Sequence, residues 1–314
     1  MSEFYHHIKS RYINRYMTIL VKKKDAELYD FRNLIQNQVR SVRVDGKDFV
    51  LEVDPKDYLV ASFNELIRYA GKGLIAYEDF CLEPRLTSRS WRYVTLYYSL
   101  YFFAVAFGRI AGRSVIYIDS PEARSITNLF SLLAGSGHQV TKGNYVLIID
   151  KPEAPLAIRD SLEIRLARLD GGGSHENSWS QFYNTLNTWI PGSKGRSLAT
   201  VNGIRNCLAI NTSIFSEARN NVNYRGKYTL KELDNLIIFL GPDKRSMSLD
   251  QLDREISATV RLSAKEEATT LQVAHTLGSF LYVLFKSALN DLHGGQPHPG
   301  SYYVKQLVKR IQAP

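Results

Sequence analysis

The chain has 314 residues, 44% of them hydrophobic, and a net charge of +9 from 40 Lys and Arg against 31 Asp and Glu. That length and apolar content suffice to bury a sizeable core, which excludes a disordered chain, and two cysteines without a metal-type pairing exclude a disulfide scaffold. The positive field attracts polyanions such as RNA and DNA, although the basic residues are scattered rather than gathered in one motif.

The first forty residues read as helical, with Lys22-Lys23-Lys24 at a boundary. Met1 to Arg15 contains no apolar run of the kind a secretory signal needs, so a cytoplasmic location is expected. Val42 to Val53 alternates on both sides of Asp45-Gly46, the pattern of a β-hairpin. A helix should run from Pro55 or Asp57 to Tyr69 and stop at Gly71 and Gly73. An aromatic helix follows, capped by Ser88 or Ser90 and ended by Gly112. Its uncharged run, Tyr93 to Gly108, is shorter than the roughly 20 residues that span a bilayer, and the hydroxyls of Tyr93, Tyr97, Tyr98 and Tyr101 would need partners in lipid. No membrane association is expected.

Ser114 to Ile118 reads as a short strand. Ser120 then supplies an N-cap, Pro121 the first helical position and Glu122 an acid in the first turn of a helix reaching Leu133 and ending at Gly135. Tyr145 to Ile149 is a second strand, after a turn at Lys142-Gly143-Asn144. These strands are too few for βαβ units and read as an insertion or flanking layer. The remainder is expected to be helical: Leu156 to Leu169, leading into Gly171-Gly172-Gly173, then Trp179 to Trp189 and Leu198 to Arg219. The capping boxes Thr229 to Glu232 and Ser248 to Gln251 place helices at about 230 to 240 and 249 to 262. A long helix from Lys265 to His293 precedes Gly294-Gly295, and a short basic helix, Tyr302 to Ile311, finishes the chain. The wide apolar faces of 91–112 and 265–293 are expected to pack together antiparallel.

Two segments carry the functional reading. The first is Tyr97-Tyr98-Ser-Leu-Tyr101-Phe102-Phe103-Ala-Val-Ala-Phe107-Gly108-Arg109-Ile-Ala-Gly112, and the second is Arg219-Asn220-Asn221-Val222-Asn223-Tyr224-Arg225. In this order they resemble the two signature helices of the HEPN superfamily (higher eukaryotes and prokaryotes nucleotide-binding). The second is similar to the branch whose motif runs Arg, two variable residues, Ala, Asp, Tyr, departing from it at Val222 and Asn223. The resemblance implies an arginine that contacts a scissile phosphate, a polar residue after it, a histidine or tyrosine separated from that polar residue by three more, no metal or cofactor, and a site assembled by two protomers. It also implies the company of prokaryotic toxins and anti-phage effectors. Arg219, Asn220 and Tyr224 become the catalytic candidates; Arg219, Asn223, Arg225 and His175 become the candidates for holding RNA phosphate.

The chemistry of these residue types bears on activity. A guanidinium binds phosphate oxygens bidentately and stabilises the charge that develops on them. A general base works best with a pKa near the working pH, which histidine offers and an unperturbed tyrosine does not. Tyr224 at the histidine position therefore favours a subunit that binds RNA or a nucleotide with weak or no ribonuclease activity, as a homodimer or within a larger complex. The alternative is an active metal-independent ribonuclease that uses Arg219 with Tyr224, or with a histidine from elsewhere such as His175. Arg168 and His175 share a spacing the family allows, yet the intervening glycines break any helix that would carry both. On a glycine-rich loop, His175 can still approach a phosphate. His275 and the tyrosines at 97, 98 and 101 read as core residues with polar partners.

The fold class expected is mainly α: a HEPN-like bundle from about Asp57 to Gly112 and Leu198 to His293. An N-terminal helical and hairpin region, 1–56, precedes the helical domain, 57–314, which carries a small mixed α/β insertion at about 113–196.

Overall fold

A computed structural model of the chain describes residues 3–16, 30–82, 89–135, 139–150, 159–189, 201–206, 208, 214–223, 244–252, 254–255 and 267–294. The expected helices at 230–240 and 302–311, the Thr229 capping box, and the motif positions Tyr224 and Arg225 lie outside these residues. The fold is mainly α with one antiparallel sheet. In chain order the elements are α1 (Glu3–Ile8, continued by a π-helical turn Lys9–Ile13), α2 (Phe31–Asn37), β1 (Val39–Asp45), β2 (Asp48–Val53), α3 (Pro55–Leu82), α4 (Arg89–Ala111), β3 (Arg113–Ile118), α5 (Ser120–Ala134), β4 (Gly143–Ile149), β5 (Leu162–Arg168), α6 (Ser174–Trp189), α7 (Ile214–Asn223) and α8 (Glu267–Gly294).

Several local expectations hold for the reasons that prompted them. Asp45 and Asp48 close the β1–β2 hairpin, and Gly46 there takes φ +64°, where a side chain would be strained. Ser248 and Gln251 form a reciprocal capping box, with Ser248 N donating to Gln251 Oε1 at 2.8 Å and Gln251 N to Ser248 Oγ at 3.2 Å. His275 is a buried core residue, its ring 5.6 Å from Phe80. At α5 the cap is Asp119 rather than Ser120: its carboxylate accepts from Glu122 N, and Glu122 returns the bond to Asp119 N, each at 2.9 Å. The carboxylate one residue earlier has the reach to close the box, and Ser120 becomes the first helical residue.

Three further expectations are corrected. The helix begun at Pro55 does not end at Gly71 or Gly73; α3 continues to Leu82. Gly73 serves a close crossing instead, since a Cβ there would lie 2.6 Å from the Phe103 ring and Ser99 Oγ donates to its carbonyl at 2.8 Å. The stretch read as helix before the glycine run is, over its described part, strand β5, with Leu162, Ile164 and Leu166 buried in strict alternation. It is the central strand of a five-stranded sheet ordered β1-β2-β5-β4-β3, every neighbouring pair antiparallel. The N-terminal hairpin and the strands after α4 thus share one sheet.

The third correction concerns helix direction. Leu96 approaches Gly278 and Phe103 stacks on Phe285 at 5.2 Å, so contacts advance in the same sense along α4 and α8, which run parallel. α3 is antiparallel to both: Gly73 meets Phe103, Tyr77 Oη lies 2.6 Å from Ser279 Oγ, and Phe80 meets His275. A short connection forces consecutive helices α3 and α4 antiparallel, and α8, set against α3, takes the direction of α4.

The window Trp91–Ala111 is long and apolar enough to cross a bilayer, but 78% of it is buried inside the protein. Its C-terminal end is held by a buried ion pair, Arg109 Nε to Glu65 Oε2 at 2.6 Å, while Arg109 Nη2 donates to the Val115 carbonyl of β3 at 2.9 Å. Glu65 Oε1 also accepts from Phe31 N at 3.2 Å. One ion pair therefore joins α2, α3, α4 and the edge of the sheet.

Candidate functional site

Three helices bring a polar cluster together beside the bundle core. α4 contributes Tyr97, Tyr98 and Tyr101, with Tyr97 and Tyr101 one helical turn apart on one face. α6 contributes His175 from its first turn. α7 contributes Ser216 and Arg219, three residues apart and so on one face.

The local sequence explains how His175 arrives there. Gly171 and Gly172 take φ +74° and +66°, turning the chain sharply out of β5 and into α6. Ser174 Oγ donates to Asn144 Oδ1 at 2.8 Å, Ser178 Oγ donates to the Ser174 carbonyl at 2.7 Å, and Leu169 N donates to the Asn144 carbonyl at 2.9 Å. Trp179, Phe182 and Leu186 form the buried stripe that seats α6: Phe182 meets Phe107 of α4 at 5.1 Å, and Trp179 meets Phe215 of α7 at 5.2 Å. The same packing that buries Trp179 therefore sets the distance between the starts of α6 and α7.

Tyr97 is the hub. Its hydroxyl lies 2.7 Å from His175 Nδ1 and 2.9 Å from Ser216 Oγ. The His175 ring stacks face to face on Tyr101, centroids 4.0 Å apart and planes 4° from parallel, with Tyr98 edge-on at 5.9 Å. The Arg219 guanidinium sits over Tyr97 at 5.1 Å and over Tyr98 at 5.9 Å, within cation–π range. Burial first, and then the charge of Arg219, hold the His175 imidazole below its usual 6.5 and therefore neutral at pH 7. Burial also pushes the Tyr101 phenol up, opposed by a hydrogen bond to Ser178.

This arrangement has a definite chemical capacity. When Nδ1–H donates to Tyr97 Oη and the tyrosine hydroxyl donates to Ser216, Nε2 carries the free lone pair of a neutral imidazole and can act as a base. Arg219 supplies a fixed positive charge beside it. The N-terminus of α6 and the consecutive backbone amides after the left-handed glycines add a partial positive field. Among the described residues no group of three or more His, Cys, Asp and Glu side chains is placed to hold a metal ion.

Of the site residues named from sequence, Arg219 and His175 come together. Asn220, the next residue, is half-buried on α7, and Asn223 closes that helix. Arg168 ends β5 with an exposed side chain, so His175 keeps company with Arg219 and not with Arg168. Sequence reasoning left Tyr97, Tyr101 and Ser216 out of the site. The tyrosines were indistinguishable from core residues by spacing, and Tyr97 is indeed fully buried as well as hydrogen-bonded to the histidine. No protein-family model, curated protein or solved structure matches this chain.

Proposed function

We propose that the chain is a HEPN-like protein that binds RNA through a phosphate at Arg219 and cleaves it without a metal, with His175 as the base. The observation that carries this reading is the shared platform of Tyr97, which holds the His175 ring by a 2.7 Å hydrogen bond and the Arg219 guanidinium over its face. In this reading neutral His175 Nε2 accepts the proton of a ribose 2′-hydroxyl as its oxygen attacks the adjacent phosphorus. Arg219 offsets the charge gathering on the phosphate oxygens, and the imidazolium returns its proton to the departing 5′-oxygen. The products are a 2′,3′-cyclic phosphate and a 5′-hydroxyl. Both groups come from one chain, so the pair needs no second protomer to complete it. A role in prokaryotic defence or a toxin–antitoxin pair follows from the resemblance alone.

A second reading, an RNA- or nucleotide-binding subunit without cleavage, is favoured by Tyr224 at the position where the motif's histidine would stand. Labelled RNA incubated with the purified protein in EDTA separates the two. Cleavage that persists in EDTA and in Tyr224→Phe but disappears in His175→Ala and Arg219→Ala is the expected result. Arg219-dependent binding without cleavage selects the second reading, and RNA binding unchanged between about 50 and 200 mM salt overturns both, because phosphate contacts are lost through counterion uptake.

A further inference from the structure

The Tyr97 hydroxyl holds one proton and stands between two groups, 2.7 Å from His175 Nδ1 and 2.9 Å from Ser216 Oγ. Among the described residues it is also the one hydrogen-bond partner of Ser216 Oγ. A phenol donates to only one neighbour at a time, so these three groups form a chain that runs in one of two directions. In the first, Nδ1–H donates to Tyr97, Tyr97 donates to Ser216, and the serine proton is left over; His175 Nε2 then carries a lone pair. In the second, Ser216 donates to Tyr97, Tyr97 donates to Nδ1, and Nε2 carries the proton. The two directions hold the same protons and the same net charge, but only the first leaves a base for a ribose hydroxyl.

Ser216 stands where a bound phosphate can select between them. It lies three residues before Arg219 on one face of α7, and both side chains meet Tyr97, the serine at its hydroxyl and the guanidinium over its ring at 5.1 Å. Both residues are half-buried, so neither is sealed from a ligand. A phosphodiester anion accepts hydrogen bonds and has no proton to give. Once its oxygen takes the proton of Ser216 Oγ, the serine can only accept from Tyr97, and Tyr97 can only accept from Nδ1–H. A bond made two groups away therefore leaves the lone pair on Nε2.

We infer that Ser216 is a phosphate ligand and that its hydrogen bond to the RNA backbone, passed through Tyr97, fixes His175 as the base; this role rests on the phosphate-binding reading of Arg219 above. The residue type matters, because a hydroxyl donates and accepts at once and so transmits the direction, whereas a methyl group cannot. Arg219 holds the phosphate by charge and Ser216 by a directed bond. Substrate binding itself then prepares the acid–base group, and an empty site leaves His175 free to exchange tautomers.

The test compares the full chain with Ser216→Ala, which suits a helix, and Ser216→Thr, which keeps the hydroxyl. The probes are a short RNA and a 2′-deoxy oligomer of the same sequence, which has the phosphodiesters but no attacking hydroxyl. Ser216→Ala should bind the deoxy oligomer about tenfold more weakly, the scale of one hydrogen bond to a charged group, and Ser216→Thr should bind it like the natural chain. Imidazole nitrogen NMR, with His175 assigned as the signal lost in His175→Gln, reads the tautomer. The oligomer should drive it to the Nδ1–H form in the natural chain and in Ser216→Thr but not in Ser216→Ala. Single-turnover cleavage of the RNA should slow by about 10–100-fold in Ser216→Ala and recover in Ser216→Thr. Undiminished binding by Ser216→Ala, or a His175 tautomer that the oligomer does not move, overturns the role of Ser216; if Arg219→Ala still abolishes binding, the phosphate reading stands. A natural chain that fails to bind the oligomer sinks both. The binding and tautomer measurements need no cleavage, so they decide the role of Ser216 in a binding subunit as well.

Discussion

Tyr97→Phe removes one oxygen from the centre of the candidate site and little else. The ring that supports Arg219 at 5.1 Å and fills the core stays in place, so no cavity opens. What is lost is the pair of hydrogen bonds to His175 Nδ1 at 2.7 Å and to Ser216 Oγ at 2.9 Å. Each such bond contributes a net 0.5–1.5 kcal/mol, roughly, and because His175 and Ser216 are half-buried, water can take up part of their needs. The expected cost in stability is therefore about 1–2 kcal/mol, readable as a shift in the urea midpoint at constant slope. On the proposed reading, with His175 as base and Arg219 as the phosphate contact, the consequence for chemistry should be larger. General acid–base catalysis contributes about 10²–10⁴-fold, and a histidine free to rotate or to swap tautomer forfeits part of that, so single-turnover RNA cleavage should slow by about 10–100-fold. Half-saturation, set by Arg219, should move by less than about twofold. A variant that folds normally and cleaves at the natural rate would refute the Tyr97–His175 relay.

Other expectations follow from the same contacts. Glu65→Ala leaves the Arg109 charge buried without its partner and should cost about 3–5 kcal/mol, while Glu65→Leu combined with Arg109→Leu should recover most of it; additive losses in the double variant would show the pair is not coupled. Gly73→Ala gains about 1 kcal/mol of helix propensity, but its Cβ would lie 2.6 Å from a Phe103 ring that stacks on Phe285, so overpacking of about 1–3 kcal/mol should prevail; a rise in melting temperature would contradict this. His175, facing Tyr97, Tyr98 and Tyr101 of α4 and Arg219 of α7, has a folded-state pKa below its unfolded value of about 6.5. The unfolded chain thus binds this proton more readily, and the stability contributed by neutral His175 should be complete above about pH 6.5 and decline as pH falls from there through the folded value. His175→Gln should flatten that part of the stability–pH curve, and an unchanged slope would locate the titration elsewhere.

Much of the local structure was written in short-range chemistry. The Asp45-Gly46 turn, the positive φ of Gly112 and Gly135 after their helices, and the Ser248–Gln251 box each depend on residues within four positions of one another, and such patterns are legible before any fold is known. Arg219 and His175 were legible as residue types suited to a phosphate, one from a family-like motif and one from a glycine-rich turn. Tertiary structure decided the rest. Gly73 reads as a helix stop until Phe103 is seen to need its missing side chain. Leu162 to Arg168 lies within the stretch from Leu156 to Leu169 that reads as helix, and only pairing with β2 and β4 on both sides makes its alternation that of a central strand. The parallel course of α4 and α8 follows from α3 packing antiparallel to each, a relation between segments far apart in the chain. The site itself is of this kind: His175 and Arg219 are joined through Tyr97 of a third helix, and spacing along one chain cannot report a meeting that depends on where Trp179 and Phe215 bury their rings.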